Sequence, residues 1–244
     1  MRTTTLKKVT TGLAGAVAIA GGSQAYGAIV NVTPPATLTN TPGGGTQIPG
    51  ATTGVIGTFT YWDVNSDGTN DFLFTDRYPN TAAGSYGVVW QENMNPATSA
   101  LATTNGVISY AGAFVRYGTA LSQGFSIATG GAFSTTTAVT LGSRYSYGAN
   151  GVSYYGGFAT GGKVGQNYFA GFRFASGGNT YYGYVQLAVS AGQITFVNAA
   201  YNNTPNTAIL AGARAVPEPG TMAALAVGAM VTGVAIKRRR QKAA

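Results

Sequence analysis

Short runs of β-branched and aromatic residues recur along the middle of the chain, each bounded by glycine, asparagine or serine. They cover 55–62, 86–90, 113–117, 168–174, 181–189 and 193–197. Runs of this length, cut by turn formers, predict antiparallel strands. Their spacing predicts an all-β domain, an antiparallel β sandwich or jelly-roll-like fold. Where the alternation is clean it also assigns faces. In Tyr168-Phe-Ala-Gly-Phe-Arg-Phe174 a period of two turns Phe172 and Phe174 inward and Arg173 outward. No long segment before Gly220 has a 3.6-residue apolar period, and Gln91 to Ala102 is the one helix candidate. Residues 28–50 hold Thr33-Pro-Pro35 and Thr41-Pro-Gly-Gly-Gly45, and predict an extended lead-in before a β-sandwich cargo domain at 51–213.

Apolar stretches of another kind flank this domain. Arg2, Lys7 and Lys8 precede the apolar run Val9 to Ala20, and small residues follow around Ser23, Ala25, Gly27 and Ala28. These are the parts of a secretory signal, so residues 1–27 are expected to form a signal helix removed by signal peptidase after Ala25 or after Gly27. A retained N-terminal anchor is the alternative, although the run is short for a spanning helix. Toward the other end, no charge interrupts the 17 residues from Gly220 to Ile236. As a helix they extend about 25 Å, near the lower limit for crossing a bilayer. Pro217 and Pro219 stand just before, where a fixed φ and a missing N–H suit a helix start. Lys237, Arg238, Arg239, Arg240 and Lys242 follow, and the positive-inside rule makes them a topology anchor with the preceding chain outside. A buried C-terminal helix of the cargo is the competing reading, which the flanks disfavour.

Taken together, the motif Val216-Pro217-Glu218-Pro219, the transmembrane helix 220–236 and the basic tail 237–244 resemble the PEP-CTERM sorting signal of Gram-negative bacteria. The resemblance covers residues 214–244. It implies an exported protein held transiently in the membrane, recognised by an exosortase, cut near the motif and delivered to the cell envelope or extracellular matrix. A second likeness lies at the end of the cargo. Residues 168–174, 181–187 and 199–212 are similar to the closing strands of many PEP-CTERM cargo proteins, with Tyr184 in place of a Trp and Asn202 in place of a Glu. Neither likeness says what the cargo does.

Charge separates address from cargo. The formal net charge is +8, from 14 Lys and Arg against 6 Asp and Glu. The excess sits at the ends, in Arg2, Lys7 and Lys8 and in residues 214–244. Between 28 and 213, five cations balance five anions, so nucleic acid is not an expected partner. The chain has no Cys, which removes disulfides and thiol chemistry. It has no His, which removes the usual general base, the commonest zinc ligand and the Ser-His-Asp and Cys-His nucleophilic sites.

The few acids are clustered. Asp63, Asp67, Asp71 and Asp76 fall within 14 positions. In Asp63-Val-Asn65-Ser-Asp67-Gly68-Thr69-Asn70-Asp71, oxygen side chains stand at loop positions 1, 3, 5 and 9, with glycine at 6 and the Thr69 carbonyl available at 7. A calcium loop gathers hard oxygen ligands by this spacing. Position 12 is Phe74 instead of a bidentate Glu, and strand-like runs flank the loop. It therefore resembles the short Asp-x-Asn-x-Asp-Gly loops of extracellular repeats, with Asp76 as an extra ligand. The competing reading is an Asx-rich hairpin turn that holds no ion, because turns use the same residues.

Other chemistry is thinner. Asp63 and Glu92 would suit glycoside hydrolysis if they faced one another, but nothing in their spacing brings them together. Tyr86, Tyr117, Tyr147, Tyr155 and Tyr182 each precede a glycine and could stack on sugar rings, or could fill the core and cross-strand pairs of a β protein. The first expected function is a non-catalytic surface or matrix protein associated with exopolysaccharide, biofilm or cell envelope. The second is a secreted polysaccharide-active enzyme using the acids of the cargo. The missing histidines and scarce carboxylates favour the first.

Overall fold

The punctuated runs become strands. The computed structural model describes residues 28–49, 55–78, 86–112, 115–135 and 138–215. The first half holds β1 (Ile29–Val32), β2 (Leu38–Thr39), β3 (Thr46–Gln47), β4 (Ile56–Trp62), β5 (Phe72–Arg77), β6 (Tyr86–Pro96), β7 (Gly106–Ala111) and β8 (Arg116–Gly118). The second half adds β9 (Ser126–Ile127), β10 (Phe133–Ser134), β11 (Val139–Tyr147), β12 (Val152–Tyr155), β13 (Tyr168–Ser176), β14 (Asn179–Ser190), β15 (Gln193–Asn202) and β16 (Ile209–Leu210). Among the described residues, helical structure is confined to 3-10 turns at Leu101–Thr103, Gly148–Asn150 and Thr160–Gly162.

Two segments differ from expectation. Gln91 to Ala102 is not a helix but the second half of β6 and the start of a 3-10 turn. Gln91, Asn93 and Asn95 alternate there with Trp90, Glu92 and Met94, and pairing with β5 and β11 fixes that period of two. The lead-in at 28–50 contributes strands of its own, since β1 and β2 pair with β15 and β3 pairs with β4. The expected signal helix at 1–27 and transmembrane helix at 220–236 lie outside the described residues. Among those described, no helix is long and apolar enough to cross a membrane.

Among the described residues, fourteen strands form one sheet, ordered β1-β15-β14-β13-β7-β8-β11-β6-β5-β4-β3, with β2, β10 and β12 joined at its sides. Its pairings are antiparallel except for β8 with β11, which is parallel. The sheet folds back on itself. Trp62 of β4 meets Phe172 of β13 with ring centroids 5.3 Å apart, and Phe74 of β5 meets Phe196 of β15 at 4.8 Å. Neither pair lies on hydrogen-bonded neighbours, so the two halves of the sheet face each other as a sandwich. Phe172 and Phe174 are wholly buried between them, as the alternation predicts. Arg173 points the other way and lies 5.3 Å from the centre of the Phe133 ring.

A thin second layer covers the opposite face of β14. There β9 pairs with β16, packing Ile127 and Ile209 with Tyr182 and Tyr184. Gly183, between those tyrosines, faces the sandwich interior. A Cβ there would collide with the Phe172 ring and come within 2.8 Å of the Ala200 carbonyl oxygen.

Candidate functional site

The alternation that buries Phe74, Trp90 and Met94 sends Thr75, Arg77, Gln91, Asn93 and Asn95 to the outer face of the same strands. Cross-strand register then assembles two rows. Arg77 stands opposite Gln91, Gln91 opposite Ser143, and Ser143 opposite Tyr155. In the next row Thr75 is opposite Asn93, Asn93 opposite Thr140, and Thr140 beside Tyr117.

These side chains hold one another in place. Gln91 Nε2 donates to Asn93 Oδ1 at 3.1 Å and to Thr140 Oγ1 at 3.0 Å. Asn93 Nδ2 donates to Thr75 Oγ1 at 3.0 Å, and Thr140 Oγ1 donates to Asn93 Oδ1 at 2.9 Å. Thr75, Arg77, Gln91, Asn93 and Asn95 line a groove of about 630 Å³. Tyrosines continue the face. Tyr117 stacks on Tyr155 with centroids 6.2 Å apart and planes 12° from parallel. Tyr110 lies 5.5 Å from Tyr117, Tyr145 lies 5.0 Å from Tyr147, and the Tyr147 and Tyr155 hydroxyls share a hydrogen bond. Of the tyrosines that precede glycines, Tyr117, Tyr147 and Tyr155 therefore join one band. Tyr182 is buried instead, and Tyr86 pairs through its backbone with Tyr147.

The aspartate loop joins β4 to β5. Asp63 accepts from the Asp67 N–H at 3.2 Å and the Gly68 N–H at 2.7 Å, drawing the loop around its carboxylate. Gly68 has φ +88°, the left-handed conformation that position 6 of such a loop requires. Asp67 accepts from Asn65 Nδ2 at 2.8 Å, from the Thr69 N–H at 2.9 Å and from Ser176 Oγ at 3.0 Å. The Asn65 bond leads these in holding the Asp67 carboxyl below its ordinary range.

Asp71 is turned inward. It accepts from the Val64 N–H at 2.9 Å and from Asn105 Nδ2 at 3.3 Å. Burial pushes its pKa up to about 6 against those bonds. Among the described residues, no three carboxylates come together as a metal-ligating group.

Asp76 is five residues further along β5, about 16 Å from Asp71 at strand rise. It stands opposite Thr58 on β4 and Glu92 on β6. Both carboxyl residues are wholly buried. Desolvation pushes Asp76 up to about 7. Glu92 lies well above its ordinary value, chiefly from burial and next from the Asp76 charge, while the nearby Gly192 N–H works the other way. Asp63 follows the end of β4 remote from Thr58, so the Asp63–Glu92 pair does not form.

Sequence reasoning missed the Asp76–Glu92 pair and the amide rows. The available signal was the polar-apolar alternation from Trp90 to Asn95, which a helical reading of that stretch conceals.

The motif residues Val216, Pro217, Glu218 and Pro219 and the anchor residues Lys237, Arg238, Arg239 and Arg240 lie outside the described residues. Residues 215–240 match the PEP-CTERM protein-sorting motif. No curated protein and no solved structure matches the chain.

Proposed function

We propose that this PEP-CTERM protein, an exosortase substrate sorted to the cell surface, acts there as a non-catalytic component that associates with exopolysaccharide, in the matrix, biofilm or envelope. The observation that carries this reading is the outer face of β5, β6, β11 and β12. The half-buried Gln91 and Asn93 amides, held by each other and by the buried Thr75 and Thr140 hydroxyls beneath them, can meet sugar hydroxyls, and the flanking tyrosines offer ring faces and rims to pyranose C–H groups. Little side-chain entropy remains to be lost on binding, because the amides are already ordered.

Glycan-array and co-sedimentation binding of the secreted protein, with product analysis for cleavage, tests it. Binding without turnover is expected. Asn93→Ala and Tyr155→Ala each weaken it about tenfold, while Phe125→Ser, at an exposed position beside β9, leaves it unchanged. Cleavage of the bound polymer would instead establish the enzymatic reading.

Calcium at the loop formed by Asp63, Asn65, Asp67, Thr69 and Asp71 belongs to the same reading. The left-handed Gly68 and the Ser176 hydroxyl on Asp67 support it. Each carboxylate oxygen has a second lone pair, so Asp63 and Asp67 can take the ion while keeping their backbone N–H partners. Calcium-dependent protection of the 63–71 amides in hydrogen exchange, abolished by Asp63→Asn with Asp67→Asn, is the expected result.

A further inference from the structure

Five buried oxygens in one cross-strand row make no hydrogen bond of ordinary geometry with the described residues, although the Gly192 N–H lies close enough to Glu92 to favour its ionised form. The five are Thr58 Oγ1, both carboxyl oxygens of Asp76 and both of Glu92. Thr58, Asp76 and Glu92 sit directly opposite one another on β4, β5 and β6, so their side chains leave the sheet on the same face. That face is the sandwich interior, shared with Phe74, Trp90 and Met94. Arg77 follows Asp76 in the chain but faces the outer groove. The charge that acts on Glu92 is that of Asp76, which has its own sign.

Two carboxyls buried side by side, with only the Gly192 N–H near Glu92 and no cation facing them among the described residues, destabilise a folded domain strongly when ionised. Buried polar groups without partners are rare in native proteins, and three in one row are a cluster that asks for a ligand. The row offers up to five oxygens from three side chains and no nitrogen or sulfur. A hard cation takes such a set, completing six to eight oxygens with water or backbone carbonyls. We infer that Thr58, Asp76 and Glu92 form an interior calcium site, separate from the loop at 63–71, which ties β4, β5 and β6 together once the protein is exported. A divalent charge neutralises both carboxylates and gives these oxygens the partner that the described residues do not supply at hydrogen-bond geometry.

The inference is independent of polysaccharide binding and of the loop. The test follows the melting temperature of the full-length chain with a chelator and with calcium up to about 10 mM, above the weakest extracellular affinities. At calcium a hundredfold above Kd, a rise of roughly 5–10 °C is expected. The rise persists in the loop variant Asp63→Asn/Asp67→Asn and is lost in Asp76→Asn/Glu92→Gln. Thr58→Val, which keeps the side-chain shape, weakens the calcium response severalfold and serves if the double variant does not fold. Terbium emission excited through tryptophan gives a second readout, expected to fall in Trp90→Phe because Trp90 shares the inward face of β6 with Glu92. The inference is overturned by no calcium response in the wild-type chain. It is equally overturned by a response lost in the loop variant but kept in Asp76→Asn/Glu92→Gln, or by a melting temperature that follows pH alone at every calcium concentration.

Discussion

At the scale of single residues, the carboxyl groups set how this protein responds to pH. Asp76, pushed up to about 7, and Glu92, also raised, bind protons more tightly in the folded chain than in the unfolded one. Asp71, raised to about 6, acts in the same direction. Their contribution is fully present below the ordinary carboxylate range near pH 4 and is lost as pH rises through about 7. With a chelator present, the melting temperature is therefore expected to fall between pH 5 and pH 8, and the fall should shrink in Asp76→Asn/Glu92→Gln; a rise over that window would contradict the assignment. Asn105 gives a second residue-scale prediction. Wholly buried, it donates to the Asp71 carbonyl at 3.2 Å and accepts from the Ala175 N–H at 3.0 Å, linking the end of the aspartate loop to β13. Asn105→Ala strands these groups and is expected to cost about 2–4 kcal/mol in urea unfolding.

Strands and their pairings explain which of these residues meet. β6 carries two chemistries on one strand because its period of two sends Trp90, Glu92 and Met94 inward and Gln91, Asn93 and Asn95 outward. Local composition left that segment open to a helical reading, and the ladders with β5 and β11 decided it. β14 shows the same logic under tighter packing. Tyr182 and Tyr184 cover one face while Gly183 admits the Phe172 ring on the other. Gly183→Ala is expected to destabilise by about 1–3 kcal/mol through overpacking, measured by chemical denaturation. The glycine in this Tyr-Gly-Tyr segment is thus a packing requirement and needs no part in binding.

Across the whole molecule, a neutral all-β cargo is joined to a sorting signal that matches over residues 215–240. Cleavage near the motif predicts an exported form without Lys237 to Arg240, which intact-mass spectrometry would detect; a mature chain that retained them would refute processing at this site. The sequence by itself determined the address, the β class, the neutrality of the cargo and the inward turn of Phe172 and Phe174. Each of these follows from order, spacing or composition over a few neighbouring residues. It also placed glycine at position 6 of the aspartate loop, where the local turn needs a left-handed residue. Tertiary structure alone decided that Asp76 meets Glu92 and Thr58, that Asp63 does not, and that the amide rows run into the tyrosine band. Those contacts depend on strand order and on a register in which a one-residue slip would turn every side chain to the other face. Pairing among distant strands sets that register, so no local stretch of the chain reveals it.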